Sequence, residues 1–271
     1  MSEASKRKQL RSDLAWSSVA RIVVRGHDLS EELIGRVSLG DFAFLELKGR
    51  LPTAPESAVF NAIAITLVEH GMTPSAIAAR MTYLGAPESL QGAVAAGLLG
   101  MGDRFGGPVE QAARMLQEAL AGVPPEADLA GIARGLVAAQ RELKRPVAGL
   151  GHPIHKPIDP RVPRLFEVAS ENGFAGRHVA LMQLIGDEAT SRLGRPLPVN
   201  ATGAIGAIAS ELEIPWQVCR GLAVMARAIG LVAHIQEETQ DPLAAEIWAR
   251  VEEESSADLR DASSSDDRQP C

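Results

Sequence analysis

The run GLGHPIHKPIDPR, Gly149 to Arg161, decides how the rest of the chain is read. It lies in the segment 146–163, which holds five prolines and two glycines, so no helix or central strand runs through it. It also concentrates His152, His155, Lys156, Asp159 and Arg161. A short loop carrying that chemistry between helix-patterned stretches reads as a site loop rather than a linker.

Outward from it, the pattern is helical almost everywhere. Downstream, helices are predicted over about 163–172 and 175–193. A second Pro/Gly break follows at RPLPVNATGAIG, then helices over 203–212 and 215–238. Upstream, 128–143 is helical by periodicity, and Pro108 opens a helix that ends near Gly122. DRFGG, 103–107, reads as a turn, and Ala86-Pro87-Glu88 opens the helix SLQGAVAAGLLGMG. Thr73-Pro74 has the cap-then-proline pattern, and Thr53 to Pro55 starts a helix that stops at Gly71. DFAFLELKG is a helix closed by Gly49. Residues 16–25 suit a short extended piece, followed by a turn with Ser30 as N-cap of a helix from Glu31. The expected class is all-α, with roughly ten helices and almost no strand.

Composition supports this. Of the 271 residues, 46% are hydrophobic but only 4% aromatic, so the core is filled by Ala, Leu, Ile and Val, which favours close helix packing. The net charge of −7 gives no footprint for nucleic-acid binding. Cys219 and Cys271 form neither a metal-ligand spacing nor a disulfide framework, and no metal is expected. The basic start MSEASKRKQLRSD has no apolar stretch behind it, and no run of about 20 uncharged apolar residues occurs. No signal peptide or membrane partner is therefore expected, and the expected location is cytoplasmic. Residues 1–15 read as a flexible lead, 16–251 as the folded domain and 252–271 as a disordered acidic tail.

Polar groups gather at four breaks: Glu69-His70-Gly71; GDRFGG before Pro108; the Gly149–Arg161 loop; and VNATGAIG, with Arg227 and His234 beyond it in MARAIGLVAHIQ. On GxGHxxxKxxDPR and GDRFGG, with a match from about residue 20 to 250, the sequence resembles the citrate synthase superfamily, and within it the citryl-CoA lyases. The resemblance implies a citrate synthase-like helical fold with a shortened N-terminal region and a smaller domain inserted around 110–215. It also implies coenzyme A as the thioester carrier and a carboxylate as co-substrate.

Carried over by motif, His152 of GxGH binds the carbonyl or hydroxyl oxygen of the substrate, and His70 faces the same group. Arg161 of DPR and Arg227 hold carboxylates. Asn200 is a further expected substrate contact, as is His155, which stands where many relatives have a tyrosine. The Val147–Gly151 backbone, with Leu150, resembles the adenine loop for CoA. Asp103 and Arg104 are either a turn pair or CoA phosphate contacts. Elementary chemistry agrees: Arg forks suit carboxylates, imidazole stabilises a developing oxyanion, and glycine lets backbone approach a planar base. Two positions depart from the family. Phe105 stands where citrate synthases have a histidine, and Thr202 of Asn200-Ala201-Thr202-Gly203 stands where they have the aspartate that moves the carbon proton. A hydroxyl is no base near neutral pH, so Thr202 as a catalytic group would act only by hydrogen bonding.

The implied activity is cleavage of a 3-hydroxy-3-carboxyacyl-CoA to an acyl-CoA and an oxo acid. The alternatives are condensation of acetyl-CoA with an oxo acid, or CoA and carboxylate binding without turnover. A homodimer or dimer of dimers is expected, with AVAAGLLGMG permitting close helix approach.

Overall fold

The computed structural model describes residues 10–152 and 154–266. It opens on a small antiparallel sheet: β1 (Ala15–Ser17), β2 (Ile22–Val24) and β3 (His27–Asp28), in that order. The β2–β3 turn places Arg25 at φ 50° and Gly26 at φ 89°, the doubly left-handed geometry of a tight hairpin. A single π-helical turn, Leu29–Leu33, follows. Its cap is Asp28 rather than Ser30: a carboxylate is a stronger acceptor than a hydroxyl, and it takes the N–H groups of both Ser30 and Glu31.

Eleven α-helices are found among the described residues: α1 (Leu39–Lys48), α2 (Ala54–Val68), α3 (Pro74–Gly85), α4 (Leu90–Leu99), α5 (Gly107–Leu120), α6 (Leu129–Glu142), α7 (Arg161–Glu171), α8 (Arg177–Leu193), α9 (Ala201–Glu211), α10 (Trp216–Gln240) and α11 (Ala244–Asp266). The predicted start and stop residues hold where their chemistry is strong. Thr53 and Glu56 form a reciprocal capping box on α2, Thr73 caps α3, and Gly49 closes α1 in the left-handed region.

Four boundaries differ from expectation. α2 ends at Val68 instead of Gly71, because the Glu69 side chain accepts the N–H groups of His70 and Gly71 and turns the chain out of the helix. DRFGG is a π-helical turn, Gly102–Gly106, running straight into α5. NATG is the capped first turn of α9 rather than a break. The segment from Glu252, expected to be disordered, continues α11 to Asp266. Helix formers and the i,i+4 pair Glu246–Arg250 sustain its start, and Ser256 bonds back to the Glu252 carbonyl. Of the expected flexible lead at 1–15, residues 1–9 lie outside the described residues, as do the last five, Cys271 included, while Ala15 already belongs to β1.

The core is centred on α9. Ala204, Ile205, Ala207, Ile208 and Ala209 are all buried in it. Small residues let α5 approach closely: a Cβ on Gly206 would lie 2.8 Å from the Ala113 nitrogen. α10 is long and apolar enough by length and composition to cross a membrane, but it packs against α2, α3, α4 and α5 and carries Arg220, Arg227 and His234. Among the small residues of α4, Gly97 serves this packing inside the chain. A Cβ on Gly97 would meet Leu231 at 2.7 Å and the Ser75 carbonyl at 2.9 Å.

Candidate active site

The Gly149–Arg161 loop is fastened to the start of α9 by backbone. Gly149, at φ 81°, packs so closely on Gly203 that a Cβ there would lie 2.5 Å from the Gly203 Cα. The Asn200 N–H donates to the Gly149 carbonyl (2.9 Å), and the Gly151 N–H donates to Pro198 (2.8 Å). The Asn200 amide donates to the Gly151 carbonyl (2.6 Å), while its oxygen accepts the Gly203 N–H (3.1 Å) and the Thr202 hydroxyl (2.7 Å). Asn200 is thereby a helix cap and a loop clamp. Its side-chain oxygen is occupied by the frame, as is the Thr202 hydroxyl proton. The Val147–Gly151 backbone likewise serves the frame at Gly149 and Gly151.

Asp159 supplies a second fastening that the sequence reading did not single out. It is 1% exposed, and its carboxylate accepts from the Ala201 N–H (3.0 Å), the Arg161 N–H (3.2 Å) and two nitrogens of the Arg161 guanidinium (2.9 and 2.8 Å). Burial opposes its charge, but these bonds outweigh it and hold the carboxyl at about 2. One edge of the Arg161 fork is therefore committed to Asp159. The remaining edge, with Nη1, makes no hydrogen bond among the described residues. Arg161 is the first residue of α7, not a loop residue as expected.

Three imidazoles converge here. His152 stacks on His155 at 4.4 Å between ring centroids, and His70, just past the end of α2, meets them edge-on at 5.7 and 5.4 Å. The His152 Nδ1 accepts the N–H groups of Ile154 (3.2 Å) and His155 (3.0 Å). This fixes the tautomer and makes Nε2–H a donor. Burial first, then the His155 charge, pushes His152 below the ordinary imidazole range, against the pull of Asp159. His70 is lowered by burial first, then by the charges of Arg161, His155 and Arg227. Both rings thus favour the neutral form. One ligand nitrogen from each of the three rings lies within 4.8 Å of the others, a spacing that would admit a metal ion. The His152 tautomer argues otherwise, since a neutral imidazole that binds metal through Nε2 needs its proton on Nδ1.

Arg227 reaches the same region from α10. Its side chain is 12% exposed, and Glu69 is its nearest carboxylate, at 4.0 Å. Nη1 is buried without a hydrogen-bond partner among the described residues. Burial lowers its pKa, with Glu69 opposing. Glu69 itself accepts the His70 and Gly71 N–H groups (2.7 Å each) and faces the His234 Nε2 (3.2 Å). Behind it, Arg80 lies fully buried against the His234 Nδ1, Glu237 and Glu238 (2.7 Å). His234 is a buried histidine of this polar cluster. Arg80 was missed, although a lone charge in the apolar run SAIAARMTYLG was its signal.

Asp103 pairs with Arg220 of α10 (2.7 Å), which also binds Glu110 (2.6 Å). It does not pair with Arg104. Arg104 is exposed, its guanidinium 6.0 Å from the Phe105 ring. The expected turn pair is replaced by a tie between the π-helical turn and α10. Beside the Pro146–Ala148 backbone lies an open cleft of about 790 Å³ between α5 and α6, lined by Gln111, Arg114, Leu136, Gln140 and Arg145. A second cavity of about 470 Å³, lined by Gln117, Arg177, His178 and Ile214, holds none of the predicted site residues.

The arrangement suits an anionic ligand: two arginines with open donor capacity and three imidazoles around one space, with a cleft beside the loop. The family profile described as "Citrate synthase, C-terminal domain" matches residues 38–248. Among solved structures, the chain is similar to citryl-CoA lyase from Hydrogenobacter thermophilus, at 35% identity and TM-score 0.77, over 85% of this chain and 87% of that one. An ATP citrate lyase from Methanosaeta concilii, in complex with (3S)-citryl-CoA, shares the fold at 22% identity and TM-score 0.71, over 87% of this chain and 40% of that one. A citrate synthase from Pyrobaculum aerophilum shares it at 23% identity and TM-score 0.58, over 77% and 51%. No curated protein matches the chain.

Proposed function

The chain belongs to the citrate synthase family, and on that footing we propose that it is a CoA-dependent carbon–carbon lyase of the citryl-CoA lyase type. Its substrate would be a 3-hydroxy-3-carboxyacyl-CoA, cleaved to an acyl-CoA and an oxo acid such as oxaloacetate. The observation that carries this reading is the buried, under-paired Nη1 of Arg227 beside three imidazoles. A guanidinium in that state is stabilised by a ligand carboxylate, which supplies the missing acceptor and counter-charge.

In this reading Arg227 and the open edge of Arg161 hold carboxylates. His152 donates its Nε2–H to the substrate hydroxyl oxygen as it becomes a carbonyl, and His70, kept neutral by burial and by the arginines, takes the hydroxyl proton. The cleft beside Pro146–Ala148 takes the CoA nucleotide, with Arg114 and Arg145 for its phosphates. The relative at 35% identity, covered over 87% of its length, is a citryl-CoA lyase. Binding without turnover is the competing reading, favoured by the engagement of Thr202 with Asn200.

The test is incubation with citryl-CoA, following oxaloacetate through a coupled dehydrogenase. Oxaloacetate formation supports the lyase. Tight binding of citryl-CoA with no product across a panel of hydroxyacyl-CoAs supports the binding reading and sinks the lyase. For assembly we infer a homodimer or dimer of dimers, supported by the exposed apolar face of α10: Val218, Met225, Ile229 and Val232, with Ile229 50% exposed. A monomer by light scattering at micromolar concentration would contradict it. Cytoplasmic location remains part of the proposal. Burial raises the Cys219 thiol to about 12, so this free cysteine makes no demand on the redox environment.

A further inference from the structure

Carbon–carbon cleavage needs two proton transfers, and the groups assigned so far perform only the first. When the bond breaks, its electron pair moves onto the carbon next to the thioester, and that carbon must receive a proton. We propose that His155 is the acid that delivers it. The inference rests on the lyase reading.

The structure narrows the donors by what each group is already doing. The Thr202 hydroxyl proton is held by Asn200 Oδ1. Asp159 is an ionised acceptor filled by Arg161 and the Ala201 N–H, with no proton to give. Glu69 is likewise an acceptor, turned to the backbone of His70 and Gly71 and to His234. His152 has its Nδ1 locked as an acceptor from two backbone N–H groups, so its one proton is directed from Nε2 and serves the oxygen. His70 is depressed first by burial and then by the charges of Arg161, His155 and Arg227, which keeps it a neutral base among the carboxylate-binding arginines.

His155 differs from all of these. Its backbone N–H anchors His152, but its ring, like that of His70, makes no hydrogen bond among the described residues; unlike His70, it stands on the face of His152, half-buried and open to proton exchange with solvent. It is stacked on His152 at 4.4 Å. The carbon to be protonated is bonded to the carbon that carries the oxygen held by His152. In this reading the ring stacked on His152 stands beside the reacting carbon once the oxygen is held by the His152 Nε2–H.

The step balances. His70 takes the hydroxyl proton, the O–C bond gains its second pair as the carbon–carbon bond breaks, and the carbon takes a proton from the His155 imidazolium. His70 ends protonated and His155 neutral. Both return to their starting states by exchange with water, and no redox partner or metal is required.

The experiment has three measurements on wild type, His155→Ala and His155→Gln. They are citryl-CoA cleavage, deuterium wash-in to the acetyl-CoA methyl group in D2O with oxalate as an unreactive oxo-acid mimic, and citrate affinity by calorimetry. Both variants should lose about a hundredfold or more in cleavage and in wash-in, the scale of general acid catalysis. Citrate affinity should stay within about threefold, since Arg161 and Arg227 hold the carboxylates in this reading. Added imidazole should restore His155→Ala in proportion to its concentration, which replacing a merely structural side chain would not do. Cleavage by His155→Ala and His155→Gln within about fivefold of wild type, or loss without imidazole rescue, would overturn the assignment. A wild type that neither cleaves nor exchanges overturns the lyase reading itself, an outcome distinct from an active wild type beside equally active variants.

Discussion

Replacing Arg161 by alanine tests the frame and the site together. Asp159 is 1% exposed and held at about 2 against an ordinary 3.8. At about 1.36 kcal/mol per unit, the difference is worth about 2 kcal/mol of preferential stabilisation of the native carboxylate. The N–H groups of Ala201 and of residue 161 survive in Arg161→Ala, which trims the loss. Stranding a buried carboxylate adds to it, on a scale of about 3–5 kcal/mol for a fully buried pair. Arg161 is 28% exposed, so the lower part of that range applies, and a net destabilisation of about 2–3 kcal/mol follows. For a chain of this size that is a drop of about 5–10 °C in Tm.

The pH dependence has a definite sign. In wild type the folded pKa of Asp159 is depressed, so its contribution is full above about pH 4 and is lost as pH falls towards about 2. Without the guanidinium, burial is the leading influence and raises the carboxyl, so the variant's deficit should shrink on going from about pH 7 to about pH 5. Citrate affinity should fall by about 2–4 kcal/mol, with CoA affinity nearly unchanged, if the open edge of Arg161 also serves the ligand. Differential scanning calorimetry at both pH values, with citrate and CoA titrations, reads all of this. A variant that melts within a degree of wild type at both pH values refutes the fastening role. Unchanged citrate binding in a folded variant refutes the ligand role.

Arg227→Met should weaken citrate binding by about 2–4 kcal/mol while leaving Tm equal or raised, because it removes a buried charge that the protein alone compensates poorly; calorimetry and a melt check both arms. Gly203→Ala should cost about 3 kcal/mol or more, since its Cβ would fall 2.4 Å from the Gly149 carbonyl oxygen, and urea unfolding measures it. Cys219 should resist iodoacetamide in the native protein and react after unfolding, given a buried thiol raised to about 12; mass spectrometry of the two digests decides it.

The parts of the fold that could be read from sequence are those with local physical causes. Thr53 with Glu56, Thr73 with Pro74, and Gly49 each act within one turn, and their helices begin or end as expected. α11 was misread because a charged, serine-rich run looks like a solvated tail, whereas its start is held from a distance. The Glu238 carboxylate accepts the Leu243 and Ala244 N–H groups, and Arg80 braces Glu238 from α3. The convergence of His70 and His152 followed from the resemblance, since residues so far apart in the chain share no local signal. The roles of Asp159, Asn200 and Glu69 were not legible, because an acceptor and its backbone donors look the same in sequence as a ligand contact.

That ambiguity bears on how the motif should be interpreted. Gly149, Asn200, Gly203 and Asp159 fix one another through backbone contacts, carbonyls and N–H groups. His152, His155, His70, Arg161 and Arg227 are then presented from that frame. A substitution in the frame moves every presented group, whereas a substitution among the presented groups changes chemistry and leaves geometry alone. Thr202 straddles the two sets: it stands in the first turn of α9, and its hydroxyl completes the Asn200 cap. A residue that fits the frame so well is compatible with a working site provided another group supplies the proton. Inactivity therefore does not follow from position 202 alone. In the lyase reading the group that supplies the proton is His155, whose ring makes no hydrogen bond among the described residues and stacks on His152 at 4.4 Å.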